Sequence, residues 1–197
     1  MSSVVSIDRP PAYARPPTRF VTAVGVVIAV WCAGFAAISI WFEATNYFDT
    51  GEYAESASGL SVANWVVTAI KAVGVVVALL AVDRRPRLLA PRVVGTLLWG
   101  AFATTGVYGL GSAVQAALML AGLVGDADEI DFAAVSYVLL FIVAAVGFGI
   151  LAISYARRAG LGNREMLLGA VGAPVVLGGV LVILPAILTA GGLLAPS

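Results

Sequence analysis

The sequence predicts an all-α integral membrane bundle of five transmembrane helices, with the N-terminus inside and the C-terminus outside. Three observations carry that expectation. The first is composition. The 197 residues are 61% hydrophobic and only 11% charged, where soluble domains are about 25% charged. The second is pattern. The apolar residues gather in five runs, each long enough for the roughly 20 residues that cross about 30 Å of hydrocarbon. The third is charge. Ten arginines fall on one side of those runs and none on the other.

Residues 1–19 read as a disordered cytoplasmic tail. Pro10, Pro11, Pro16 and Pro17 exclude a helix, and little apolar surface is available to bury. The apolar run that follows is longer than the 7–15 residues of a signal-peptide core, so it is expected to stay as a span. The transmembrane domain is 20–197. Helix 1 is expected over Phe20–Phe42, helix 2 over Ser61–Val82, and helix 3 over Val93–Gly122. Helix 4 follows over Phe132–Tyr155 and helix 5 over Met166–Leu194. Helix 5 contains Pro174, Pro185 and six glycines. A kink or an interfacial last segment is the alternative there, which leaves four spans plus an interfacial segment.

The orientation follows from the loops. Arg9, Arg15 and Arg19 precede helix 1. Arg84, Arg85, Arg87 and Arg92 follow helix 2, and Arg157, Arg158 and Arg164 follow helix 4. The loops after helices 1 and 3 are acidic instead. They hold Glu43, Asp49, Glu52 and Glu55, then Asp126, Asp128, Glu129 and Asp131. The positive-inside rule puts the arginines in the cytoplasm. Trp41, Tyr47 and Trp65 fall near the expected outer interface, where aromatic rings are favoured. Heavy use of Ala, Gly, Val and Arg is the composition of a GC-rich bacterial genome, so the expected location is a bacterial plasma membrane.

Composition also removes function classes. The chain has no histidine, which excludes imidazole bases, His-ligated haem and His-containing zinc sites. Its single cysteine, Cys32, forms no internal disulfide and reads as a small buried apolar residue. Net charge is zero, so no basic face recruits nucleic acid. The acidic loop GDADEID lacks the spacing of a calcium-binding EF-hand and reads as a solvated loop. No metal or cofactor is expected. Ala29, Ala33 and Ala37 form a row of small residues for close helix packing.

One basic residue escapes the topology rule. Lys71 lies about ten residues from either end of helix 2, about 15 Å from each interface. A charged lysine there costs at least about 2.5–3.5 kcal/mol on insertion scales, so it should be paired, wetted or neutral. Ser61, Asn64, Thr68 and Lys71 share one helix face at i, i+3, i+7, i+10. Thr104, Tyr108, Ser112 and Gln115 of helix 3 form a similar row. A short loop joins helices 2 and 3, which makes them expected antiparallel neighbours. With Val82 level with Val93, Lys71 meets Thr104, Thr68 meets Tyr108, Asn64 meets Ser112, and Ser61 meets Gln115. The expected site is therefore a polar cleft between helices 2 and 3, with no carboxylate partner for Lys71. The alternative is that these side chains only hold the helices together.

Residues 60–158 also carry a recognisable order of features. Trp65 and Lys71 lie in one helix, and an Arg/Pro loop ends in Ala90-Pro91-Arg92. Leu97-Leu98-Trp99-Gly100 and Val107-Tyr108-Gly109 follow in the next helix. Then come Gly122-Leu123, Asp131, and a helix ending in arginines. This order resembles a family of small actinobacterial multi-pass membrane proteins defined only as a domain of unknown function. Members show four helices with a Trp-rich fourth. Here the fourth helix lacks Trp, and a fifth follows. The resemblance implies no catalytic residues. It implies only that Lys71 and Tyr108 are family features.

Three functions fit these readings. The first is a non-enzymatic membrane protein whose cleft binds or passes a small molecule, ion or lipid. The second is an accessory subunit of a membrane complex, with a membrane-protein partner. The third is a membrane enzyme on a lipid substrate. The lack of histidine and of deep carboxylates argues against it, because acid–base work would fall to Lys71 and Tyr108 alone.

Overall fold

The computed structural model describes residues 16–51, 54, 57–83, 89–125 and 130–190. Five long helices make up the described chain: α1 (Arg19–Ala44), α2 (Ala57–Val82), α3 (Pro91–Leu120), α4 (Phe132–Ala159) and α5 (Asn163–Ala190). A 3-10 turn, Tyr47–Asp49, follows α1. There is no strand among the described residues. Helices α1 to α4 have the length and apolar composition to cross a membrane. The expected tail at 1–15, the cluster Arg84, Arg85 and Arg87, and Asp126, Asp128 and Glu129 of the acidic loop lie outside the described residues.

The helix ends have local causes. Thr18 caps α1: its Oγ accepts the Val21 N–H at 3.3 Å, which satisfies one of the free amides of the first turn. Pro91 starts α3, where its missing N–H is harmless. The Asp131 carboxylate caps α4, accepting the Ala134 N–H at 2.7 Å. Gly160 ends α4 with φ 62°, a left-handed conformation that glycine adopts without a Cβ penalty. α5 runs unbroken past Pro174 and Pro185, so neither proline ends it.

Packing divides the chain into a hairpin and a three-helix group. α1 lies along α2, and α3 lies along both α4 and α5. α1 and α4 join the two groups, while α2 meets α3 over a short stretch only. Glycines set the close approaches. A Cβ on Gly25 would sit 2.5 Å from Cγ1 of Val82, and one on Gly74 would sit 2.9 Å from Sγ of Cys32. The hairpin therefore closes through Gly25 and Gly74. Of the expected Ala29–Ala33–Ala37 row, only Ala29 is buried; Ala33 and Ala37 are exposed. A Cβ on Gly100 would sit 2.7 Å from Cβ of Ala173, which brings α5 onto α3.

The buried core lies towards one end of the bundle. Ile28 and Cys32 of α1 meet Val77, Ala78 and Ala81 of α2, Val94 and Leu98 of α3, and Phe148 and Leu151 of α4. The arginines mark that same end. Nη2 of Arg158 donates to the Ala81 carbonyl at 2.6 Å, tying the end of α4 to the end of α2. Arg92 pairs with Glu165 at 3.5 Å, linking the starts of α3 and α5. The opposite end carries Trp41, Tyr47 and Trp65 on its outside, each more than two-fifths exposed.

Candidate functional site

Ser61, Asn64, Thr68 and Lys71 do share one face of α2, but that face meets α1 rather than α3. The Ser61 hydroxyl donates to Glu43 Oε2 at 2.6 Å. The Asn64 amide donates to Glu43 Oε1 at 2.7 Å and to the Ser39 carbonyl at 2.9 Å. Lys71 Nζ donates to Ser39 Oγ at 2.7 Å and to the Phe35 carbonyl at 3.2 Å. Phe35, Ser39 and Glu43 recur every four residues, so they form one ridge of α1. The result is a polar seam that runs from the last turn of α1 to the middle of α2.

This arrangement corrects the expected cleft between helices 2 and 3. Both connections allow antiparallel neighbours, but one helix face holds one neighbour. The Gly25 and Gly74 contacts give that place to α1. None of Thr104, Tyr108, Ser112 and Gln115 hydrogen-bonds to α2 among the described residues. Thr104 and Ser112 are half-buried and Gln115 is exposed. Tyr108 is 46% exposed, and its ring packs on α4, 4.5 Å from Phe141 and 6.2 Å from Tyr137. Thr68 is buried, and its hydroxyl donates to its own helix at the Asn64 carbonyl, 2.7 Å away. That bond stays within α2 and uses the hydroxyl's one donor.

Two residues that the sequence reading left out complete the seam. Ser39 is 4% exposed and accepts from both Asn64 and Lys71. Glu43 receives two donors from α2. It lies one helical turn beyond Ser39, while Lys71 makes both of its hydrogen bonds to neutral groups. The two charged groups do not touch. The Ser39 hydroxyl and backbone and the Asn64 amide stand between them.

An aromatic cluster backs the inner end of the seam. Lys71 Nζ lies 5.7 Å from the Phe35 ring centroid, within cation–π range. Phe35 in turn packs on Trp31 at 4.6 Å, Phe141 at 5.6 Å and Tyr137 at 5.7 Å. Lys71 and Tyr108 are thus joined through rings of α1 and α4, not by direct contact.

An ammonium has three donors. Two of Lys71's go to α1, and the third has no partner among the described residues. Each Glu43 oxygen accepts one hydrogen bond and keeps a lone pair. Two hydroxyls sit beside basic groups, Ser39 Oγ 2.7 Å from Lys71 Nζ and Ser61 Oγ 2.6 Å from Glu43 Oε2, and each is engaged in that hydrogen bond. No group of three or more His, Cys, Asp or Glu able to hold a metal occurs among the described residues. No protein-family model, curated protein or solved structure matches the chain.

Proposed function

We propose that this chain is a non-enzymatic multi-pass protein of the bacterial plasma membrane, with its arginine end in the cytoplasm. Its α1–α2 seam binds a small polar solute from the outer side. The observation that carries this reading is a half-buried ammonium at mid-span that makes two hydrogen bonds to neutral partners and keeps a third donor. Interhelical polar contacts in membranes average about 0.6 kcal/mol, so two return about 1.2 kcal/mol. Placing the charge there costs about 2.5–3.5 kcal/mol. Holding two helices together does not account for that difference, whereas use of the charge does.

The ligand class follows from the groups left over. Lys71 offers a donor, and Glu43, one turn outward, offers acceptors. Their charges cancel. A small zwitterion or neutral solute with an acceptor at one end and a donor at the other satisfies both. A singly charged ion meets one group and is repelled by the other. The likeness to the actinobacterial membrane family is part of the same proposal, since Lys71 is among the residues that carry it.

Free glycine is the probe that tests this. The full chain in nanodiscs of neutral lipid should show a saturable rise in Tm with glycine, and a smaller one with acetate or methylammonium. Lys71→Met and Glu43→Gln should each abolish the rise. The same shift in Lys71→Met, or no saturable shift in the parent chain, would leave the accessory-subunit reading. In that case stoichiometric copurification of a partner is the result expected. That reading draws on one observation: most donors of the seam are satisfied within the chain.

A further inference from the structure

At the arginine end, an open groove of about 460 Å³ lies between the start of α1 and the flank of α4. Its lining is layered. Ile150 and Ile153 form the part towards the bundle middle, and Arg157, Arg158 and Thr18 form the rim. Ile153 is exposed on the outside of the bundle, so the apolar part of the groove opens on the lipid side.

The two arginines are presented differently. Arg158 is fixed in place. Its Nε donates to the Ser154 carbonyl at 3.3 Å, its Nη2 donates to the Ala81 carbonyl at 2.6 Å, and its guanidinium stands 5.7 Å from the Tyr155 ring. A guanidinium has five N–H donors, so three remain on a group that needs no further ordering. Arg157 beside it is exposed and brings a second, movable cation. Neither makes an ion pair among the described residues; Arg92, by contrast, is paired with Glu165. Thr18 places the start of α1 at the same rim, where the helix dipole favours an anion.

A pair of guanidiniums above an apolar channel, at the level where a span leaves the bilayer, fits one amphiphile. We infer that this groove seats an anionic phospholipid, its phosphate on Arg157 and Arg158 and one acyl chain along Ile150 and Ile153. The positive-inside rule accounts for arginines at this end. It does not account for Arg158 being held at three points while lining a groove. The site is separate from the Lys71 seam, and neither reading needs the other.

The test is lipid retention by the full chain. Purified protein is exchanged into mixed micelles with equal phosphatidylglycerol and phosphatidylcholine, and bound lipid is read by native mass spectrometry. Phosphatidylglycerol should be retained preferentially. Arg157→Gln with Arg158→Gln should cut that preference about thirtyfold, since each arginine near the surface contributes about fivefold. Arg164→Gln, which removes one charge at the same end, should change it little. Should the double variant fail to fold, Arg158→Lys in the Arg157→Gln background keeps one charge, removes the fork, and should still lose most of the preference. Equal retention of the two lipids overturns the inference, as does equal loss in Arg164→Gln. Millimolar inorganic phosphate displacing the lipid as well as phosphatidylglycerol does would make this a free-phosphate site and overturn the assignment to lipid.

Discussion

Replacing Lys71 with methionine separates a working charge from a structural one. The change removes the hydrogen bonds to Phe35 and Ser39, worth about 1.2 kcal/mol together. It also removes the contact with the Phe35 ring, worth about 0.5–1 kcal/mol. Against this loss of about 2 kcal/mol stands relief of about 2.5–3.5 kcal/mol from burying the charge. The abandoned Ser39 hydroxyl lies one turn after the Phe35 carbonyl and has that carbonyl as a new acceptor. Methionine is unbranched and fills the space of the lysine stem. Lys71→Met should therefore raise stability by about 1 kcal/mol, or about 2–4 °C in Tm for a chain of this size. The assay is reversible unfolding of the full chain in mixed micelles, with the Tm in nanodiscs as a second readout. A loss of more than about 1 kcal/mol would refute the reasoning, because the seam would then hold more energy than contacts of this kind supply.

Four further outcomes are expected. Glu43→Ala leaves Ser61 without its acceptor and Asn64 with one acceptor instead of two. Stability should fall by about 1–3 kcal/mol in the same unfolding assay. Gly169→Ala places a Cβ 2.7 Å from Cβ of Trp99 and 2.9 Å from the Gly100 nitrogen, with the Thr96 carbonyl nearer still. Since backbone cannot swing aside, α5 must move, at about 1–3 kcal/mol. Gly172→Ala on the same helix meets nothing within 4 Å and should be near neutral. A tag after Ser197 should be reached by membrane-impermeant reagents from outside the cell; labelling only after lysis would reduce the topology to four spans.

The helices were legible because their signal is long and redundant. Loss of any one apolar residue leaves a run of more than 20, and α1 to α4 start and stop within four residues of the expected bounds. The differences at the ends are physical. α2 begins at Ala57 rather than Ser61 because Ala57 and Leu60 are good helix formers that carry the helix across Ser58 and Gly59, where the apolar run breaks. The neighbours were not legible. Loop length points to helices 2 and 3, joined by the shorter connection, and not to helices 1 and 2, whose connection is the longer one. Which neighbour takes the polar face is decided by where backbones approach closely, at Gly25 against Val82 and at Gly74 against Cys32. A sequence shows those glycines but not their partners. Ser39 and Glu43 were within reach, four residues apart on α1. Glu43 was assigned to the loop because it is charged, yet α1 runs on to Ala44. A carboxylate in the last turn of a span is placed there by its donors, and Ser61 and Asn64 are the donors.

Depth keeps the two candidate sites apart. Arg158 is tied to Ala81, which lies ten residues from Lys71 on the same helix, about 15 Å along its axis. The helix between them is the best-packed part of α2, with Gly74, Val77, Ala78 and Leu80 all buried. Sites more than about 7–10 Å apart with no shared partner contribute to stability independently, within about 0.5 kcal/mol. Lys71→Met combined with Arg158→Gln should therefore change unfolding free energy by the sum of the single changes. Glycine should still shift the Tm of Arg158→Gln, and Lys71→Met should still retain phosphatidylglycerol. A coupling larger than about 1 kcal/mol would mean that the packed middle of α2 carries strain from one end to the other, and the two sites would then have to be read as one.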